Sequence, residues 1–460
     1  MGVACRAPSC DRYVGKQLLP RGPAEPFPPL TAQLADSGAS SFRSFARAKI
    51  MKVRWRICFL IFLTWLFSYV DRSLMPMALP FIGQEFHLSP TVMGVVISAF
   101  FVGYGSMQIP GGLVADKFGP RKSIALGVFF WSVFSLLTGT VGGLAELIGV
   151  RVLFGLGEGI HPPAAFKAIS AWFGSTERAR ANGLVLSSNS LGPMFAPALF
   201  ALVIAAYGWR TAFYLDCIPG FLVATAVFWY LRDTPNQHPR MTAAELAEIG
   251  APEQAKQKIP FSELLKYSAL WKLFFIYMTW DMTWWGFQAW LPSYLLKVRG
   301  FTLLRTGFAT SLPFAAGFVG LLAAAYLSDH IGRRKPVLIA VLAGNALFML
   351  LTATATSATS AVIFMTATGF FLPAIQGPFW SLPMDLLPSR VMGYSSGFIN
   401  TGGQIAGVCA PIVIGALIQI TGLYEAGFLF MSASAAVSAL LVALLRESRL
   451  TPAHSPSPSA

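Results

Sequence analysis

From Trp55 onward the chain returns again and again to apolar stretches of about 20 residues, each long enough to cross ~30 Å of hydrocarbon. A segment in lipid must satisfy its own backbone polar groups, so repeated single stretches of this length fold as helices. The spans read as 55–79, 90–114, 121–141, 144–166, 180–206, 211–231, 271–296, 304–328, 335–356, 359–383, 392–420 and 425–445. The fold class is therefore an all-α membrane protein of twelve transmembrane helices. Pro110, Pro162, Pro193 and Pro378 fall inside spans, where neighbouring helices can satisfy the freed backbone groups. Composition agrees: 55% of residues are hydrophobic and 12% charged, against about 25% charged in soluble domains. A soluble enzyme, a disordered chain and a disulfide-stapled secreted domain all fit poorly.

The net charge of +14 would suggest nucleic acid in a soluble protein. Here topology explains it. With the N-terminus inside, 28 of the 34 Lys and Arg residues fall on one side of the spans and four on the other, while Arg72 and Arg151 lie within them. That split follows the positive-inside rule, puts both termini in the cytoplasm and removes the need for a nucleic-acid partner. The four outer residues are Arg210, Lys297, Arg299 and Arg305, and the last three could draw anions toward the outer mouth. Cys5, Cys10, Cys58, Cys217 and Cys409 have no CxxC or metal spacing, so neither a disulfide nor a metal site is expected. Residues 1–50 are rich in Pro, Ser, Ala and Arg without an apolar core, and read as a disordered extension, either a cytoplasmic tail or sequence upstream of a start at Met51. Residues 449–460 read as a disordered tail. The short first outer loop and the lack of an N-x-Ser/Thr sequon favour a bacterial inner membrane.

The chain also repeats itself. GLVADKFGPRK at 112–122 is echoed by AYLSDHIGRRK at 325–335, an offset of 213. Two six-helix halves, 51–231 and 271–448, thus flank a polar cytoplasmic linker at 232–270. Parallel repeats of this kind put a binding site between the halves near the membrane midplane. The first copy, with Gly112, Asp116, Lys117, Gly119, Arg121 and Lys122, resembles the loop signature of the major facilitator superfamily. The second keeps Asp329, Gly332, Arg333 and Arg334 but has Ala325 for the glycine and His330 for a basic residue. Such loops would act as a latch, their charges pairing with neighbouring helix ends in one conformation and parting in another. Simple positive-inside anchoring would explain the Lys and Arg but not the Gly and Asp.

Within that superfamily, Tyr69-Val70-Asp71-Arg72 and Arg151-x6-Glu158, followed by GSTERARANG, resemble the anion:cation symporter family, which includes galactonate and hexuronate transporters. The resemblance implies that Asp71 and Glu158 are a protonatable pair and that Tyr69 and Arg72 contact substrate. It also places Tyr104, Asn189, Trp380 and Asn400 in the cavity; Asn189 stands where Gln is expected, which bears on which hydroxyls are recognised.

The residues carry the same chemistry on their own. Charges inside spans are costly and usually functional, and the candidates are Asp71, Arg72, Arg151, Glu158, Asp216 and Asp281. Tyr69 and Arg72 share a helix face, while Asp71 turns about 100° away. Arginine suits a carboxylate ligand because its planar fork donates two parallel hydrogen bonds. Arg151 and Glu158 lie two turns apart on one face, so a carboxyl able to take up a proton has a guanidinium in reach to expel it again. The alternative is static pairing of Asp71 and Glu158 with Arg72 and Arg151. His161, before Pro162-Pro163, reads as a packing or helix-bend partner, and Asp216 as a solvated residue or cap near the outer end of its span.

On the seventh span Tyr277, Asp281, Trp284 and Gln288 follow i, i+4, i+7 and i+11 and suit a polyhydroxylated substrate, whose CH faces stack on aromatics. An interfacial aromatic belt would fit Trp290 but not Asp281. Gln376 with Trp380, and Asn400 with Gln404, are one turn apart and can face the same cavity. The expected function is proton-coupled import of an organic anion, a sugar acid above all, by a monomer in a lipid bilayer, without cofactor. The other readings are a proton-driven efflux antiporter, for which Gly183-x8-Gly192-Pro193 is part of a pattern, and a ligand sensor of the same shape. No ATPase loop, haem ligand set or nucleophile elbow points to an enzyme.

Overall fold

A computed structural model describes residues 52–249, 265–387 and 392–445. The N-terminal extension, the C-terminal tail, residues 250–264 of the linker and Arg390 lie outside the described residues.

The first half comprises α1 (Val53–Glu85), α2 (Pro90–Thr138), α3 (Leu144–Trp172), α4 (Ser175–Leu186) and α5 (Ser188–Tyr230). A short α6 (Ala243–Ile249) follows in the linker. The second half comprises α7 (Ser268–Lys297), α8 (Leu303–Ile331), α9 (Arg334–Ala353), α10 (Ala358–Phe371), α11 (Gln376–Leu386), α12 (Met392–Thr421) and α13 (Glu425–Ala443).

Among the described residues, eight helical stretches are long and apolar enough to cross a membrane. Two of them contain a sharp break and serve as two spans each: α2 turns at Gly119 and α5 at Gly208, both at φ +81°. Two more spans are α3 and α7, of 29 and 30 residues, whose apolar character is diluted by Arg151 and Glu158 in one and by Asp281 among Trp and Tyr in the other. The total is the twelve spans that the apolar runs predict. The loops between spans two and three and between five and six are thus single glycines, tighter than the sequence suggests, because only glycine takes the left-handed turn without a Cβ clash.

The loop residues read as a latch are held largely within their own halves. Asp116 pairs with Lys167 of α3 at 2.7 Å, and Lys117 lies over the Phe118 ring. Arg121 donates to the Phe228 carbonyl of α5. Asp233, a residue the sequence did not single out, accepts from the Arg121 backbone N–H at 2.9 Å and so caps the helix that restarts after Gly119. In the second copy Gly332 takes the left-handed conformation that ends α8, and Arg334 pairs with Asp329 at 3.1 Å. The linker helix α6 is bound to the start of α1: Glu248 receives Lys52 and Arg54, and Glu245 accepts the Arg54 backbone N–H. Those two cations hold the Glu248 carboxyl below the usual carboxylate range.

The halves meet along α2 with α12 and along α5 with α8. The contact is tightest at the face remote from the basic loops. There a Cβ on Gly94 would lie 2.3 Å from the Pro411 carbonyl oxygen, and Ser98 Oγ donates to the Val408 carbonyl at 2.6 Å. Of the three outer residues that could draw anions, Arg299 bonds the Tyr294 hydroxyl and the Ala355 carbonyl and Arg305 lies over the Phe301 ring, so both are engaged locally.

Within the first half α3 packs on α2 through glycines. A Cβ on Gly155 would meet the Phe100 carbonyl oxygen at 2.1 Å, whereas nothing lies within 4 Å of one on Gly149 of the same helix. Gly155→Val should therefore abolish the monodisperse peak of detergent-purified protein, while Gly149→Ala should leave its elution and melting temperature unchanged.

Candidate functional site

Between the halves lies a cavity of about 560 Å³, large enough for a small organic ligand. Its wall follows from helix periodicity. Trp65, Tyr69 and Arg72 descend one face of α1, and Tyr104 and Gln108 form a matching stripe on α2. Asn189 comes from the start of α5. The second half supplies Tyr277, Trp280, Asp281, Trp284 and Trp285 from α7, Gln376 and Trp380 from α11, and Ser396, Asn400 and Gln404 from α12. All these positions lie from mid-span toward the basic face. At the other end the cavity stops where Phe101 of the first half meets Trp285 of the second, ring centroids 4.6 Å apart.

The structure thus brings together Tyr69, Arg72, Tyr104, Asn189, Asp281, Trp284, Gln376, Trp380 and Asn400 from the sequence reading. Gln288 is the correction. It shares the face of Tyr277, but it lies past the Phe101–Trp285 seal and lines a separate pocket of about 20 Å³ with Arg72 and Arg151. The sequence reading missed Trp65, Gln108, Trp280 and Trp285. Trp65 and Gln108 were legible in principle, each sitting one turn from a residue already chosen.

Arg72 is the centre of the site. Its guanidinium stands 4.5 Å from the Tyr104 ring centroid and 5.0 Å from that of Tyr69. It donates through Nε at 2.8 Å and through Nη2 at 2.6 Å to the same Glu158 oxygen. Glu158 pairs with Arg72 and not with Arg151, two turns earlier on its own helix. Arg151 is buried with its guanidinium against Phe100 and Phe154, and its Nε has no hydrogen-bond partner. His161 is a packing residue, in contact with Thr64 at 2.7 Å and edge-on to Trp65 and Trp131.

Asp71 faces away from the cavity, as the helix geometry predicts, but it meets no arginine within ion-pair distance among the described residues. Instead it approaches Ser135, which donates to Asp216. Asp216 is 5% exposed. It is neither solvated nor a cap, because the sixth span starts straight after Gly208 and this residue is two turns inside it.

On the second half's side Asp281 is buried and lines the cavity. Among the described lining residues Arg72 is the one cation and Asp281 the one carboxylate. Side-chain amide atoms of Gln108, Asn189 and Gln404 also reach the cavity wall without a protein partner. One guanidinium, one carboxylate, several amides and a girdle of Tyr and Trp rings make a site for a small polar ligand that carries an acid group.

Two six-helix halves around such a cavity define a membrane transporter. Residues 60–411 match the Major Facilitator Superfamily, and the chain belongs to it. A probable sulfoacetate transporter of Cupriavidus necator is 35% identical, the match covering 85% of this chain and 93% of that protein. The D-galactonate transporter of Escherichia coli O6:H1 is 30% identical over 86% of this chain and 96% of its own length. A bacterial homologue of the human lysosomal transporter Spinster, in an inward-facing and occupied conformation, has the same fold. It superposes with a TM-score of 0.71 at 17% identity, covering 85% of this chain and 96% of that one.

The cavity's one-sided opening can be tested directly. In a cysteine-free background, Gln108→Cys and Gly397→Cys should react with an impermeant thiol reagent applied to the basic face. Ser98→Cys, at the sealed end, should resist it from either side.

Proposed function

We propose that this transporter imports a sugar acid together with protons by alternating access. The observation that carries the reading is the Arg72–Glu158 pair, whose guanidinium lines the cavity while its carboxylate is buried behind it. Glu158 takes the Nε–H and one Nη2–H of Arg72 and neutralises its charge, so a substrate carboxylate at the remaining N–H groups competes with it for that charge. A proton on Glu158 removes the competitor, so proton binding and anion binding favour one another. The seal at Phe101–Trp285 and the opening toward the basic face suit one of the two states that alternating access requires. The positive-inside rule makes that face cytoplasmic, with both termini inside and, in a bacterium, the inner membrane as the site. Asp71 and Arg151 belong to the proton side of the machinery and the loop charges to the latch. A monomer suffices, since both halves of the cavity come from one chain.

Asp281 narrows the substrate. An acid with a single carboxylate can place it at Arg72 and turn hydroxyls toward Asp281 and the amides of Asn189, Asn400 and Gln404. A second anionic group at the Asp281 end would find a carboxyl and no cation there, an unfavourable place for a buried charge. Aldonates and hexuronates fit this division better than dianions such as galactarate or sulfoacetate.

In proteoliposomes an inward proton gradient should drive accumulation of labelled D-galactonate or D-glucuronate, and Arg72→Ala should abolish it. Glu158→Gln should still exchange labelled for unlabelled substrate but no longer accumulate it. Proton-driven efflux would establish the antiporter reading instead, and binding without flux the sensor reading. In competition assays galactarate should inhibit the wild type more weakly than galactonate, and Asp281→Asn should narrow that difference; equal inhibition of the wild type by both would overturn the single-carboxylate assignment.

A further inference from the structure

The first half buries three carboxyls near mid-span, Asp71, Glu158 and Asp216, against two guanidiniums, Arg72 and Arg151. All five groups are at least nine-tenths buried, so each uncompensated charge among them is expensive. Glu158 already has Arg72. The remaining set is Asp71, Asp216 and Arg151, one negative charge too many.

Geometry says where the excess is resolved. Asp71 on α1 and Asp216 on α5 lie within hydrogen-bond reach of each other, with Ser135 of α2 between them. Ser135 Oγ stands 2.9 Å from Asp216 Oδ2 and 3.4 Å from Asp71 Oδ1. A serine hydroxyl has one hydrogen to donate, and the shorter contact to Asp216 takes it. Asp71 Oδ2 is buried without any donor facing it. Two acceptor-only carboxylates cannot share this space, whereas one carboxyl and one carboxylate can, the O–H of the first bonding the second. The charged groups that face the couple are Arg151 and Glu158 from α3; Cys217 adjoins Asp216 on α5.

The approach of the helices is itself enforced. One turn beyond Asp216, a Cβ on Gly220 would lie 2.0 Å from Ser132 Oγ and 2.6 Å from the Phe67 ring. On the other side of the couple Tyr214 donates its hydroxyl to the Gly139 carbonyl at 2.7 Å. The contact between Asp216 and Ser135 is thus bracketed by two fixed points.

We infer that Asp71 and Asp216 share a single proton, and that Asp216 is the positioning residue which keeps that proton on the side of α1 opposite Arg72. With the proton in place the cluster is neutral: the couple carries one negative charge against Arg151, and Glu158 balances Arg72. This inference rests on the proton-coupled reading for its role in transport, but the shared proton itself does not. Asp71 alternates its proton with water when the conformation exposes it, and Asp216 sets how firmly it is held.

The test is the infrared carbonyl absorption of protonated carboxyl groups in the purified protein at neutral pH. Asp71→Asn and Asp216→Asn should each remove one carboxyl's worth of this band, and the double variant no more than either single, since there is one proton to lose. Ser135→Ala, which takes a hydrogen bond from the anion, should keep the band and carry it to more alkaline pH by about half a unit or more. A merely structural role for Asp216 predicts a band unchanged in Asp216→Asn; that result, or losses that add in the double variant, would overturn the inference. Should Asp216→Asn fail to fold, Asp71→Asn and Ser135→Ala carry the test alone. Then a band that survives Asp71→Asn, or an unmoved titration in Ser135→Ala, would be the contrary result. Counterflow of labelled galactonate or glucuronate by the wild type checks the transport reading separately.

Discussion

A guanidinium inside a membrane-spanning bundle needs an anion beside it, and most of this structure follows from how Arg72 meets that need. Removing one partner of a buried ion pair typically costs about 3–5 kcal/mol, because the other charge is left without compensation. Glu158 is therefore fixed on α3 at the level of Arg72, which in turn requires α2 and α3 to pack closely enough to bring α3 against α1. The glycines at that helix contact and the aromatic rings around the guanidinium serve the same end. They surround the pair with apolar and aromatic groups, where a carboxylate exchanges for another carboxylate more readily than for solvent. The pair is thus both a structural necessity and the one place where an anionic ligand can enter at little electrostatic cost.

Asp281 gives the opposite wall a different character. It has no cation of its own among the described lining residues, so the cavity has a cationic pole at Arg72 in the first half and none in the second. A ligand with an acid head and a hydroxylated body aligns with that polarity, and the Trp and Tyr rings accept its CH faces in either half.

Much of this was legible in the sequence. The length of the apolar runs fixes the number of helices, the repeated loop fixes the two halves, and the 3.6-residue period puts Tyr69 and Arg72 on one face with Asp71 off it. What escaped reading shares one cause: position along a helix does not say what stands across from it. Gln288 has the right face but lies beyond a seal made by Phe101, which no pattern on α7 reveals. The apolar run puts Asp216 near the outer end of its span, whereas the one-residue turn at Gly208 sets it two turns inside. Glu158 was paired with the arginine on its own helix, whereas the one on α1 is nearer. Asp233 sits outside the repeated motif although it caps the helix that the motif starts.

The closed face carries a last consequence. Its seal is built from Gly94 against a backbone carbonyl, a serine-to-carbonyl hydrogen bond and two aromatic rings, whereas Asp116, Lys167, Asp329 and Arg334 at the basic face pair in or near water. Ionic strength weakens exposed ion pairs and leaves van der Waals contact untouched. Salt therefore loosens the pairs within each half at the basic face and leaves the contact that seals the two halves together untouched.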